Sequence, residues 1–241
     1  MTTVDAWLEG VRQQIARSIW PPHCVLCGRI GQSTALDLCS GCEADLPINV
    51  RACRVCAEFL SAAGESDVVC GACLRHPPRF DASYIPFRYA YPLDHLVRRL
   101  KYGGAVSIAR VFGTLFAKRV PHLTSMPSCL VPVPLAYKRF CERGYNQALL
   151  LAEHIHASVD IPLRTDLLAR IRETPEQAGL DRKARRKNLR RAFEATARPP
   201  DHIAIIDDVV TTGSTANEIA RTLKRAGAKR VDVWAIARAG R

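Results

Sequence analysis

The apolar positions change their spacing along the chain. Val4, Trp7, Leu8, Val11, Ile15 and Ile19 recur at helical intervals, which predicts a short amphipathic helix at the start. Its other face carries Asp5, Glu9 and two arginines, so packing on the rest of the protein is the expectation, rather than anchoring in a membrane. Residues 24–73 form a cysteine-rich region, and "RHPPRF" (75–80) reads as a linker, because consecutive prolines exclude helix. From Tyr84 onward, short apolar runs alternate with longer helical segments. "SYIPFRYA" reads as a strand that Pro86 confines to a sheet edge. Leu93 to Val120 read as two helices split at Gly103-Gly104, "CLVPVP" (129–134) as a strand closed by prolines, and Gly144 to Val159 as a helix. "IAIID" reads as a buried strand, Thr215 to Ala226 as a helix, and "RVDVWAIA" (230–237) as the last strand. This alternation predicts an α/β protein with a mostly parallel sheet covered on both faces.

Composition narrows the picture. The chain has 241 residues, 48% of them apolar. That is ample for a core and suits one α/β domain plus a small accessory one. No window approaches the roughly 18 apolar residues of a membrane span, and the first twenty residues lack the apolar stretch of a secretory signal. The expected location is cytoplasmic. Eight of the ten cysteines sit in four C-x-x-C pairs: Cys24/Cys27, Cys39/Cys42, Cys53/Cys56 and Cys70/Cys73. In a cytosolic chain such spacing points to metal rather than disulfides. Two turns of this kind close a tetrahedral thiolate site with no open position, which predicts two structural zinc ions. Each would contribute on the order of 10 kcal/mol to folding a core-poor region. Adjacent pairs are the simplest grouping, and spacing leaves an interleaved one open. The formal net charge is +12; two four-thiolate zinc sites at −2 each reduce it to about +8. A basic excess of that size points to a polyanionic partner, either phosphates on a small ligand or nucleic acid.

The densest chemistry lies in "IAIIDDVVTTGST" (203–215). Asp207 and Asp208 end an apolar run suited to a central parallel strand, where open α/β sheets bind ligands. The hydroxyl-rich loop that follows opens a helix, whose free N–H groups and dipole favour a phosphate. Thr211, Thr212, Ser214 and Thr215 add hydroxyls, and Gly213 permits close backbone approach. Carboxylates beside an anion site make sense if they face sugar hydroxyls and recruit Mg²⁺. One ligand combines a phosphate, a ribose and a magnesium-bound diphosphate: phosphoribosyl pyrophosphate. Neither a Walker A loop nor a G-x-G-x-x-G fingerprint is present.

This stretch resembles the phosphoribosyl-pyrophosphate motif of type I phosphoribosyltransferases. "LKYGG" (100–104), "VPVPL" (131–135), "RGYNQA" (143–148), "RETPEQ" (172–177) and "RKNLRRAF" (186–193) extend the resemblance to the ComF family, in its GntX-like branch. That family is competence-associated and joins zinc fingers to a phosphoribosyltransferase-like domain. The resemblance implies a type I phosphoribosyltransferase-like parallel sheet flanked by helices, with a small N-terminal all-cysteine zinc-binding domain. The implied boundaries are 1–23 for the N-terminal helix, 24–78 for the zinc-binding domain and 79–241 for the transferase-like domain. It further implies that Asp207 and Asp208 meet the ribose and Mg²⁺ and act in catalysis. Residues 211–215 would clasp the 5′-phosphate, and Lys138, Arg139 and Arg143 would supply charge to the diphosphate. Some purine-salvage relatives carry an aspartate for the nucleobase where this chain has Thr211, so the acceptor stays open, as does catalysis itself.

Two basic stretches have two readings each. "RKARRKNLRR" (182–191) is either a phosphate contact or a solvated helix face. "YKRF" (137–140) interleaves aromatics and cations as single-strand binders do, or gates the ligand as a loop. The resemblance implies a link to DNA uptake, with single-stranded DNA and uptake proteins as partners. The competing reading is a non-catalytic DNA-binding or ligand-sensing protein on the same fold.

Overall fold

The computed structural model describes residues 23–30, 36–60, 68–120, 125–173 and 189–240. The expected N-terminal helix and positions 174–188, with most of the basic run, lie outside them. The chain divides into two compact units, Met1–Leu46 and Pro47–Arg241. The second cysteine set therefore shares a unit with the sheet.

In the smaller unit, α1 (Ser40–Ala44) follows Cys39. In the larger one, α2 (Gly71–Arg75) follows Cys70 in the same way. The main sheet is built from β1 (Ala82–Tyr84), β2 (Phe87–Arg88), β3 (Cys129–Pro132), β6 (His202–Val210) and β7 (Arg230–Arg238). Its order is β1-β7-β6-β3, with β2 also on β7, and every pairing is parallel. β1 and β2 are one edge strand interrupted at Ile85-Pro86, and proline's missing N–H accounts for the break. β4 (Leu168–Arg170) and β5 (Phe193–Ala195) form a separate antiparallel pair. Three-residue strands give too short an alternation for the sequence to announce them.

Strand alternation sorts the core into two layers. Ile203, Ile205, Val231 and Val233 share a buried cluster with Ile219, Ala220 and Leu223 of α7 (Ser214–Arg225). On the other register Trp234 packs against Phe116 of α4 (Ser107–Ala117), ring centroids 5.3 Å apart. α3 (Leu93–Tyr102) buries Leu93, Leu96, Val97 and Leu100, one stripe at helical spacing, and ends at Gly103 as expected. α6 (Gln147–Val159) packs on α4, β6 and β3. It starts three residues later than the expected Gly144. That glycine instead terminates α5 (Tyr137–Arg143) at φ +79°, and Asn146 caps α6 by accepting from the Ala148 N–H at 3.0 Å. Among the described residues, no helix is long and apolar enough to cross a membrane.

Candidate functional site

β6 runs on past Asp207 to Val210, because Val209 and Val210 continue the ladder with Ala237 and Arg238 of the nine-residue β7. The two acids thus lie inside the strand rather than at its last position. β3 stops at Pro132, and its last bond to β6 is the Val133 N–H donating to the Ile206 carbonyl at 2.9 Å. Proline at 132 and 134 ends that ladder. Residues 207–210 therefore project beyond β3 with that side of the strand open, at the carboxyl end of the sheet where such folds bind ligands.

Asp208 is buried, and its Oδ2 lies 2.8 Å from the Lys101 Nζ at the end of α3. Burial alone would lower the Lys101 pKa; the charges of Asp208, chiefly, and Asp207 outweigh it and hold the ammonium on. Asp207 is partly buried, and its Oδ1 accepts from the Asp208 N–H at 2.9 Å. Burial, and then the neighbouring Asp208 charge, push its carboxyl up to about 8, against the pull of Lys101. This is an acid that a cation would ionise.

Residues 137–140, open in sequence to single-strand binding or to a gating loop, form the start of α5. Tyr137 to Arg143 close a helix because Gly144 supplies the left-handed turn that ends it. Arg139 and Arg143, four apart, share one face of α5. Burial lowers the Arg139 pKa, and so does the Arg143 charge, while Asp208 opposes them. Arg143 lies over the Tyr102 ring at 5.1 Å, and one of its terminal nitrogens is buried with no hydrogen-bond partner among the described residues. Lys138 is exposed one position off that face, and its backbone N–H donates to Glu173 Oε1 at 3.0 Å. The structure thus brings Asp207, Asp208 and Arg143 near Lys101, sets Arg139 beside Arg143, and leaves Lys138 exposed at the surface.

The hydroxyl loop follows directly. Gly213 sits at φ +72° and precedes α7, and no side chain caps that helix. Thr212 and Ser214 hydroxyls are 2.8 Å apart, and the Ser214 N–H donates to Thr212 Oγ1 at 3.3 Å. Thr211 is exposed and Thr215 partly so. Thr212 Oγ1 takes the Ser214 N–H, but the helix start beside the left-handed glycine has no N-cap side chain, and such a start is suited to receive an anion.

The cysteine sulfurs fall into two groups, Cys24/Cys27/Cys39/Cys42 and Cys53/Cys56/Cys70/Cys73, each within 4.8 Å. The grouping is adjacent, and the interleaved alternative is excluded. Cys27–Cys39 and Cys56–Cys70 sulfurs are 3.7 Å apart. A zinc tetrahedron with bonds of about 2.3 Å has edges of about 3.8 Å, whereas a disulfide needs about 2 Å. All ten cysteines are free thiols. Backbone donors suit thiolates here: the Cys70 N–H donates to Cys53 Sγ at 3.2 Å. Burial pushes the Cys24 thiol up, but N–H groups of Cys27, Cys39 and Leu26 outweigh it and bring it to about 6. The donor sets fit structural zinc. Among the described residues, neither His23 nor His76 joins a set. Cys129 is buried in β3 and Cys141 exposed on α5.

Three contributors escaped the sequence reading. Lys101 stood within the quoted "LKYGG", two residues before a helix-ending glycine, and nothing local aims it at Asp208. Arg170 of β4 lies over the Phe193 ring at 5.5 Å; burial first, then Arg139, lowers its pKa. Arg238 ends β7 after the apolar run 233–237, and a cation closing such a run was the available signal.

Fold and cysteine sets together define the class: a zinc-ribbon protein with a parallel-sheet α/β unit. A family model described as a double zinc ribbon domain matches residues 15–74. The chain is 36% identical over 212 residues to Competence protein F of Haemophilus influenzae, covering 84% of this chain and 90% of that one. It is 33% identical over 207 residues to DNA utilization protein YhgH of Escherichia coli K12, covering 83% and 90%. The chain belongs to the ComF family. A solved structure of glutamine phosphoribosylpyrophosphate amidotransferase from B. subtilis, complexed with ADP and GMP, is similar at a TM-score of 0.39 and 15% identity. That match covers 57% of this chain and 30% of that one.

Proposed function

We propose that this protein binds phosphoribosyl pyrophosphate with Mg²⁺ and transfers the phosphoribosyl group in the handling of incoming DNA. The observation that carries this reading is the juxtaposition on one open strand end: Asp207 and Asp208 on β6, then an uncapped helix start after a left-handed Gly213. The loop 211–215 receives the 5′-phosphate. Asp208, oriented by Lys101, accepts from the ribose hydroxyls, and Arg139 and Arg143 face the diphosphate. Asp207 and its neighbour offer the hard oxygens that Mg²⁺ prefers, and Asp207 would hold the ion. Bound there, Mg²⁺ would neutralise charge on the leaving diphosphate. As the anomeric bond breaks, positive charge develops on the sugar, and the acid pair stabilises it. The names of the relatives support the setting in competence and DNA utilization.

A second reading, nucleic-acid binding without turnover, is favoured by exposed aromatics interleaved with these cations. Tyr102 is 75% exposed, Tyr137 76% and Phe140 47%; such rings stack bases. Thr211, in place of a base-handling acid, favours the same reading. Pyrophosphate release measured against a panel of nucleobases and single-stranded DNA decides between them. Sustained release supports transfer. Binding of single-stranded DNA without release supports the second reading, and no affinity for magnesium phosphoribosyl pyrophosphate rejects the first.

A further inference from the structure

Among the described residues of the larger unit, Arg238 is the one buried arginine, 2% exposed, at the end of β7. A guanidinium at that depth needs every donor met and its charge balanced. Besides the adjacent Ala239 carbonyl, which accepts from Nη1, its partners come from two places. On the ribbon side, Nε donates to the Cys56 carbonyl at 2.9 Å and Nη2 pairs with Glu58 Oε2 at 2.5 Å. On the loop side, Nη1 donates to the Val210 carbonyl at 3.0 Å and also to the Thr211 carbonyl. Cys56 belongs to the second sulfur set, and Thr211 opens the hydroxyl loop. One rigid fork therefore spans from a zinc-ligand turn to the loop proposed to hold the phosphate.

A second contact runs in parallel. The Arg79 N–H, a few residues after Cys73, donates to Asn217 Oδ1 in the first turn of α7 at 2.6 Å. The loop's inner side meets the ribbon as well: a small pocket is lined by Cys73, His76 and Phe80 from one part and by Thr212, Gly213 and Ser214 from the other. Cys53, Cys56 and Cys73 also share a core cluster with Phe80, Val210 and Ala216. Nothing in the zinc chemistry requires such an arrangement, since four thiolates complete a structural site by themselves.

We infer that Arg238 is a positioning residue through which metal in the second cysteine set orders the hydroxyl loop. With zinc bound, the Cys56 turn is fixed, the fork is fixed, and the carbonyls of Val210 and Thr211 are held back so that the loop's N–H groups face outward. Without zinc, the turn loosens and the loop loses its template. The ordering of the loop stands on these contacts alone; the effect on ligand affinity rests on the phosphoribosyl reading above.

The test uses the full chain with Arg238→Lys, which keeps a cation but loses the fork, and Glu58→Gln, which alters only the ribbon end. Three quantities are read: zinc per chain, amide hydrogen exchange, and affinity for magnesium phosphoribosyl pyrophosphate. The reporting amides are Asn217 and Ala239, bonded to the Gly213 and Val210 carbonyls at 2.9 and 3.0 Å. Both variants are expected to retain two zinc ions while these amides exchange about tenfold faster, a change of about 1.4 kcal/mol, and affinity falls by a similar factor. Chelating zinc from wild type is expected to reproduce the faster exchange and to add little in Arg238→Lys. Unchanged exchange in Glu58→Gln, or in zinc-stripped wild type, overturns the inference; Glu58→Gln decides if Arg238→Lys loses the fold. A wild type that fails to bind the ligand rejects the phosphoribosyl reading, while the exchange result still decides the coupling.

Discussion

At the scale of single residues, the acid pair dominates the electrostatics of the proposed site. Asp208 is held against Lys101 at 2.8 Å, whereas Asp207 is lifted to about 8 by burial and by the charge beside it. An acid whose pKa rises on folding favours the folded state while protonated. Its contribution is complete below about pH 4, the unfolded value, and is lost as the pH climbs through about 8. Metal-free protein should therefore lose stability across that window, and Asp207→Asn should flatten the slope; thermal unfolding at stepped pH measures both. Mg²⁺ competes with that proton, so its affinity should rise with pH through about 8, readable by calorimetry. Lys101→Met strands a buried carboxylate, and a loss of about 3 kcal/mol in chemical denaturation is expected. Asp208→Asn removes charge-assisted acceptance from the proposed ligand and should weaken magnesium phosphoribosyl pyrophosphate about tenfold or more by calorimetry. Asp207 and Asp208 were legible from sequence because type and spacing alone single them out. Lys101 was not, since its partner lies more than a hundred positions away.

At the scale of elements, close packing of α4 on α6 fixes the layer behind the acids. A Cβ placed on Gly113 would stand 2.4 Å from the His154 Cβ, so only glycine lets the helices approach this closely. Gly113→Ala is expected to cost about 1–3 kcal/mol through overpacking, which urea denaturation measures. Glycine inside a helix ordinarily weakens it; here the contact is the reason for its presence. Helix and strand existence was read correctly wherever a stripe ran long, as in Leu93, Leu96, Val97 and Leu100. α5 was not legible as a helix because seven residues with three cations and two exposed aromatics show no apolar face. The β4–β5 pair was missed for the same reason of length.

At the scale of the whole molecule, the division falls between the two cysteine sets, at Leu46 and Pro47. A chain beginning at Pro47 should fold and hold one zinc ion against two for the full chain, which elemental analysis and circular dichroism check. Changing Cys53 to Ser should lower the melting temperature of the sheet itself, because Cys53 is fully buried in the cluster that contains Ile203 and Val233. What the sequence determined by itself was local: the zinc ligands, the parallel strands, the acid pair and the hydroxyl loop, because each is written in neighbouring residues with a fixed period or spacing. What only the tertiary structure decided was which distant groups meet. It chose adjacent over interleaved cysteines, brought Lys101 to Asp208, left the end of β6 open beyond Pro132, and set Arg238 between ribbon and loop. Those outcomes depend on the register of β6 against its neighbours and on how helices stack, and neither is encoded in any single stretch of chain.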